Sequence, residues 1–293
     1  MQIFLLLIPV ILSTLIWPLN HWVVKNGGRG DAYGWWISLT GALAAGGLAA
    51  LLRQPFSNPA LLPVGLMIGI AFSVGFCIII NYCLKIGPIG PTAAMNNLGL
   101  AGPVVVGLLW PSPQALSWLT LLGLLLAGAA IILLGLSSSR SGKQKGEDGA
   151  EVISPRWVFL VFWGWVFAAL SMTGQYLGSV LASEAQFPLL CTFFSISALI
   201  LLPITLRYRR AWFQSRECAG GALNGLIQTG SIFVTLQALQ VYPSSVVFPV
   251  TVLGPLLAVL LLSAGLYREK LPRLAWLACA AGVTGLALLA LTA

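Results

Sequence analysis

Along this chain, long runs of almost uncharged apolar residues are separated by short polar segments rich in Gly and Pro, such as GGRGDAYG, RQPFSNP, GPIGP and REKLPR. A helix needs about 20 apolar residues to cross the hydrocarbon core of a bilayer. Ten runs of that kind fit: Gln2 to Val24, Tyr33 to Leu52, Leu61 to Leu84, Thr92 to Trp110, Ser117 to Leu136, Trp157 to Ala182, Pro188 to Leu206, Glu217 to Leu239, Ser244 to Leu266 and Ala275 to Leu291. Between the fifth and sixth lies SSSRSGKQKGEDGAEVISP, from Ser137 to Pro155, the one long stretch that water would keep. Its Ser, Gly and mixed charges read as a flexible linker. The expected organisation is a five-helix repeat over 1–136, a linker over 137–155 and a second five-helix repeat over 156–293.

Composition sharpens this. The residues are 58% hydrophobic and 8% charged, with a mean hydropathy of +0.95, whereas soluble domains carry about 25% charged residues. A soluble globule is excluded, and the lipid bilayer is the expected solvent. The first run has no basic segment before it and no small-residue cleavage site, so it reads as a retained helix rather than a signal peptide. The net charge of +8 implies no nucleic-acid partner, because the basic residues fall in short loops, where they orient helices. Cys77, Cys83, Cys191, Cys218 and Cys279 lie in or beside apolar runs without CxxC spacing, so they read as small buried hydrophobes rather than metal or redox groups.

Laying Leu84-Lys85-Ile86-Gly87-Pro88 on Leu239-Gln240-Val241-Tyr242-Pro243 brings the two halves into register. The same register pairs Leu98-Gly99 with Leu253-Gly254, Ser73 with Gln228, and Asn96 with Thr251. Several matches at one offset argue for an internal duplication. An odd number of spans in each copy makes the copies enter the membrane from opposite sides, as inverted repeats do in secondary transporters. Lys and Arg crowd the loops after odd-numbered helices, while Arg53 stands alone on the other side. The positive-inside rule then places the linker in the cytoplasm and both termini outside.

Trp17-Pro18-Leu19-Asn20 followed by Lys25 resembles the W-G-x-N…K opening of the drug/metabolite transporter superfamily, EamA type. Leu253-Gly254-Pro255, the apolar run to Leu262, Glu269 in YREKL, and Gly282 and Gly285 resemble the closing pattern of that family. Pro18 stands where the family usually has Gly. The resemblance implies a ten-helix permease of a bacterial inner (plasma) membrane, with a small-molecule solute, no cofactor, and a monomeric or homodimeric state.

Polar side chains inside a span are costly and should face the bundle interior or a watery cavity. In the eighth span Asn224, Gln228, Ser231 and Thr235 recur at helical spacing, and the sixth offers Ser171, Gln175 and Ser179 with Tyr176 beside them. The fourth carries Thr92 and Asn96; the first carries Ser13, Trp17, Asn20 and His21. The candidate solute-binding set is Trp17, Asn20, Ser73, Asn96, Gln175, Tyr176, Asn224, Gln228 and Thr251, placed at the midplane. The alternative for each is structural: hydroxyls bonded to their own helix, amides joining neighbouring helices. His21 reads as an interfacial residue or a protonation switch. Asp31, Glu147, Asp148, Glu151, Glu184, Glu217 and Glu269 fall in loops or at helix ends, so no carboxylate is expected at the centre of a span. Pro103, Pro249 and Pro255 interrupt helices, as kinks or as hinges.

The leading expectation is a secondary transporter moving a small polar metabolite, such as an amino acid or sugar, by alternating access. Efflux of amphipathic drugs is the alternative, with Trp17, Trp163, Trp165 and Tyr176 as aromatic walls, and a non-transporting membrane scaffold is another. An enzyme is not expected: there is a single histidine, no His/Cys/Asp cluster and no G-x-S-x-G.

Overall fold

A computed structural model describes residues 4–25, 29–80, 82–83, 89–109, 117–143, 155–207, 215–266 and 273–291. Among them the chain forms helices and no strand. We number the helical rods α1 (Phe4–Lys25), α2 (Gly30–Leu51), α3 (Leu61–Ile80), α4 (Ile89–Asn97, Leu98–Leu100 and Ala101–Leu109 in succession) and α5 (Trp118–Lys143). The second half gives α6 (Pro155–Leu181), α7 (Gln186–Leu206), α8 (Ser215–Val241), α9 (Ser244–Leu266) and α10 (Arg273–Leu291). Five of them, α2, α3, α5 as far as Leu136, α6 and α7, are long and apolar enough to cross a membrane. Phe4, Leu7, Ile11 and Leu15 leave an exposed apolar stripe along one side of α1, a surface that only lipid would stabilise. The chain is therefore a helical membrane protein.

Helix α5 runs to Lys143, beyond the apolar run and into the polar stretch expected to be linker. Its backbone bonds continue for about two turns past Leu136. Residues 144–154 of that stretch lie outside the described residues, and Pro155 opens α6, where its missing N–H is no loss.

Departures from regular helix have local causes. In α4 a 3₁₀ turn at Leu98–Leu100 precedes Pro103, which has no N–H for the Gly99 carbonyl. In α3 the backbone widens to a π-helix over Ala71–Ile80, just where the Ser73 hydroxyl takes up the Gly69 carbonyl at 2.7 Å. Helix α2 ends with Arg53 in the left-handed region (φ 53°), and Gln54 N–H returns to the Ala49 carbonyl at 2.9 Å, the bonding of a Schellman stop.

The chain divides into two compact units, each drawing on both halves of the sequence. The first contains residues 1–78 and 170–241: α1, α2, most of α3, the end of α6, α7 and α8. In it α2 packs on α7 and α8, α1 on α8, and α3 on α7. Its core is Ile37, Ala45, Leu61, Val64, Ile68, Leu189, Leu190, Phe193, Phe194 and Leu236. Gly41 admits the Phe194 ring, since a Cβ there would lie 2.8 Å from its Cγ.

The second unit contains residues 79–169 and 242–293, with α4, α5, the start of α6, α9 and α10. Helix α5 packs on α10 and α4, and α9 on α10 and α4. The small residues of α5 and α10 bring these helices together: a Cβ on Gly285 would sit 3.0 Å from the Ala127 nitrogen and the Gly123 carbonyl. Trp157 donates to the Thr92 hydroxyl at 3.1 Å and packs with Cys83 and Val161. The Arg156 guanidinium lies 5.3 Å from the Tyr82 ring centroid.

Candidate functional site

Within the first unit, the contact of α1 with α8 is a polar seam. Helices α1 and α8 run antiparallel along it, because Ser13 meets Ser231 and Asn20 meets Asn224. Seven residues separate both pairs on each helix, so the rungs are about two turns, roughly 10.5 Å, apart. At the first rung the two hydroxyls lie 3.1 Å apart. At the second, Asn224 Nδ2 donates to Asn20 Oδ1 at 2.9 Å and to the Tyr33 hydroxyl at 2.6 Å, while Tyr33 donates to Asn20 Oδ1 at 2.6 Å. These three side chains close a triangle. Two turns further along α8, Glu217 accepts a hydrogen bond from the backbone N–H of Arg29.

Glycines let the backbones come close enough for this. A Cβ on Gly225 would run into the Thr40 hydroxyl and stand 2.6 Å from the Ile37 carbonyl; one on Gly221 would stand 3.1 Å from the Tyr33 carbonyl. With α8 held against α2, Asn224 is fully buried and Tyr33 nearly so. Two acceptor atoms in the seam nevertheless have no partner: Asn224 Oδ1 and Glu217 Oε2. Leaving a buried polar atom unpaired costs about 1–3 kcal/mol, and such atoms mark places where a ligand or proton would be welcome.

The other sequence candidates are distributed as follows. Gln228 and Gln175 are half-buried in the first unit and make no hydrogen bond among the described residues. Tyr176 is buried. Ser73 bonds the Gly69 and Ile70 carbonyls of its own helix, as Thr251 does those of Val247 and Phe248 in the second unit. Asn96, also in the second unit, is half-buried without a hydrogen bond among the described residues. The side chains of Trp17 and His21 lie outside the described residues, as does Glu269. Trp163 is exposed among Phe159, Phe162 and Phe167 of its own helix. Of the candidates, the structure brings Asn20 and Asn224 together. Two members of the seam were missed, Tyr33 and Glu217. Both sit in the first turn of a helix, where sequence reads a polar residue as interfacial.

At the opposite end of this unit Gln237 Nε2 donates to Gln186 Oε1 at 2.8 Å, and Gln54 Oε1 accepts the Phe187 N–H at 3.0 Å. Gln186 is almost wholly buried, and its Nε2 has no partner. The five cysteines are free thiols. Among the described residues no group of three His, Cys, Asp or Glu could hold a metal.

No family model and no curated protein matches the chain. A solved crystal structure shares its fold, with a TM-score of 0.76 at 17% sequence identity over 100% of this chain and 97% of the other. The likeness extends to the fold and no further.

Proposed function

We propose that this protein is a secondary transporter of the drug/metabolite superfamily, EamA type. It moves a small polar metabolite across a bacterial inner membrane by alternating access of two inverted five-helix repeats. The observation that carries the reading is the Asn20–Tyr33–Asn224 triangle, in which Asn224 is fully buried and its carbonyl oxygen has no partner. Interhelical amide bonds also serve packing; what favours a solute site is the unpaired Asn224 carbonyl, since such a site needs buried groups whose bonds the solute completes.

The packing of the first unit supports the repeat. Under the register that lays Leu84 on Leu239, the Gly65–Thr192 approach of α3 and α7 corresponds to 220 against 37, and Gly69–Ile196 to 224 against 41. The close approaches found between α8 and α2 are Gly221 to Ile37 and Gly225 to Gly41, one residue away in each case. The helix pairs α2 with α7 and α5 with α10 are each made of a helix and its own counterpart. The same register lays Asn20 on Gln175, an amide on an amide.

The test is a thermal-stability screen of purified protein over amino acids, sugars and cationic drugs, followed by uptake into proteoliposomes. One class of small polar solute should stabilise and be taken up, and Asn224→Ala should abolish both while the protein stays folded. A scaffold would show neither stabilisation nor uptake, and stabilisation confined to cationic amphiphiles would turn the reading to drug efflux.

A further inference from the structure

We propose that Glu217 is a proton-binding site, set at the end of the polar seam where α8 begins. The residue is completely buried. One carboxyl oxygen is held by the Arg29 backbone N–H, and the other, Oε2, meets no donor. A carboxylate taken out of water is tolerated when a cation or several N–H groups face both oxygens. The guanidinium of Arg29 instead turns to Asp31, with Nη2 to Oδ2 at 2.7 Å and Nε to Oδ1 at 3.2 Å.

Among the described residues the charged groups acting on Glu217 are Arg29 and Asp31, at the start of α2; on its own helix the neighbouring Arg216 is exposed. Helix α1, which packs on α8, carries His21 and Lys25, whose side chains lie outside the described residues. In this setting the carboxyl takes a proton from water when the α2–α8 contact is closed: the O–H bond forms at Oε2, the charge is lost, and the Arg29 N–H stays on Oε1. Opening that contact hydrates the group, and the proton returns to water. Asn224, the other residue with an unpaired acceptor, lies two turns away on the same face of α8, so a proton at Glu217 and a solute at Asn224 bear on the same helix pair.

Infrared difference spectroscopy of the full-length protein in lipid, with the proton as the only ligand, tests this. The wild type should show a protonated-carboxyl stretch that persists above the ordinary Glu range of about 4.3 and disappears as pH rises further. Glu217→Gln should remove that band. Asp31→Asn, which removes a negative charge that opposes ionisation of Glu217, should make the band disappear at lower pH. A band that survives Glu217→Gln, or one that titrates in the ordinary carboxylate range, overturns the proposal.

Should Glu217→Gln fail to fold, thermal stability of the wild type against pH gives the same answer. A carboxyl that binds its proton more tightly folded than unfolded stabilises at low pH and loses that contribution as pH rises through its titration. A profile without that fall overturns the proposal as well. Neither measurement needs a solute, so failure here leaves the transporter reading untouched.

Discussion

A polar side chain in lipid has few partners to choose from, which makes each pairing in the seam separately measurable. Tyr33 is both donor to Asn20 and acceptor from Asn224. Tyr33→Phe therefore leaves the buried Asn224 and the half-buried Asn20 each short of a bond without emptying the site, and we expect a loss of about 1–2 kcal/mol, read as a lowered thermal midpoint in detergent. An unchanged midpoint would mean that the hydroxyl contributes nothing to the fold. Asn20 and Asn224 stood out in the sequence as large amides inside apolar runs. Tyr33 and Glu217 did not, because a residue in the first turn of a helix is read as facing water. Their burial depends on how α1, α2 and α8 meet, which periodicity within one helix does not contain.

At the scale of the element, glycine decides where helices touch. Gly225 sits where a Cβ would strike the Ile37 carbonyl, whereas Gly47 has nothing within 4 Å. Gly225→Ala should destabilise by about 1–3 kcal/mol through overpacking. Gly47→Ala, in the same fold, should gain up to about 1 kcal/mol of helix propensity. Equal effects of the two substitutions would refute the contact. Arg53 closes α2 in the left-handed region, so Arg53→Gly should raise stability by about 1 kcal/mol, the usual penalty for a Cβ there; a lowered melting temperature would show that its side chain matters more than its backbone. Apart from the end of α5, which runs seven residues past Leu136, the helix limits were legible to within a few residues because apolar length and Pro/Gly punctuation are local. The interruption of α4 at Pro103 was legible as well, but the π-helix in α3 was not, since it lies where the Ser73 hydroxyl competes for the Gly69 carbonyl.

For the whole molecule, the distribution of Lys and Arg predicts that both termini face away from the cytoplasm and that the Ser137 to Pro155 stretch faces into it. A reporter fused to the C-terminus that is active in the cytoplasm would reverse this topology, and impermeant labelling of a cysteine placed in the stretch gives an independent reading. Sequence by itself determined that the chain is helical and built for lipid, because a run of apolar residues long enough to cross a bilayer has no other stable backbone conformation there. It also singled out Asn20 and Asn224, though not that Asn96, Gln175 and Gln228 would go without a hydrogen bond among the described residues. Tertiary structure decided the rest. Residues 1–78 pack with 170–241 rather than with the remainder of their own half, and α1 and α8, far apart in sequence, meet rung by rung at Asn20 and Asn224. Close helix contact in lipid is governed by small residues and shape rather than by hydrophobic periodicity. One helix in isolation therefore does not reveal its neighbour.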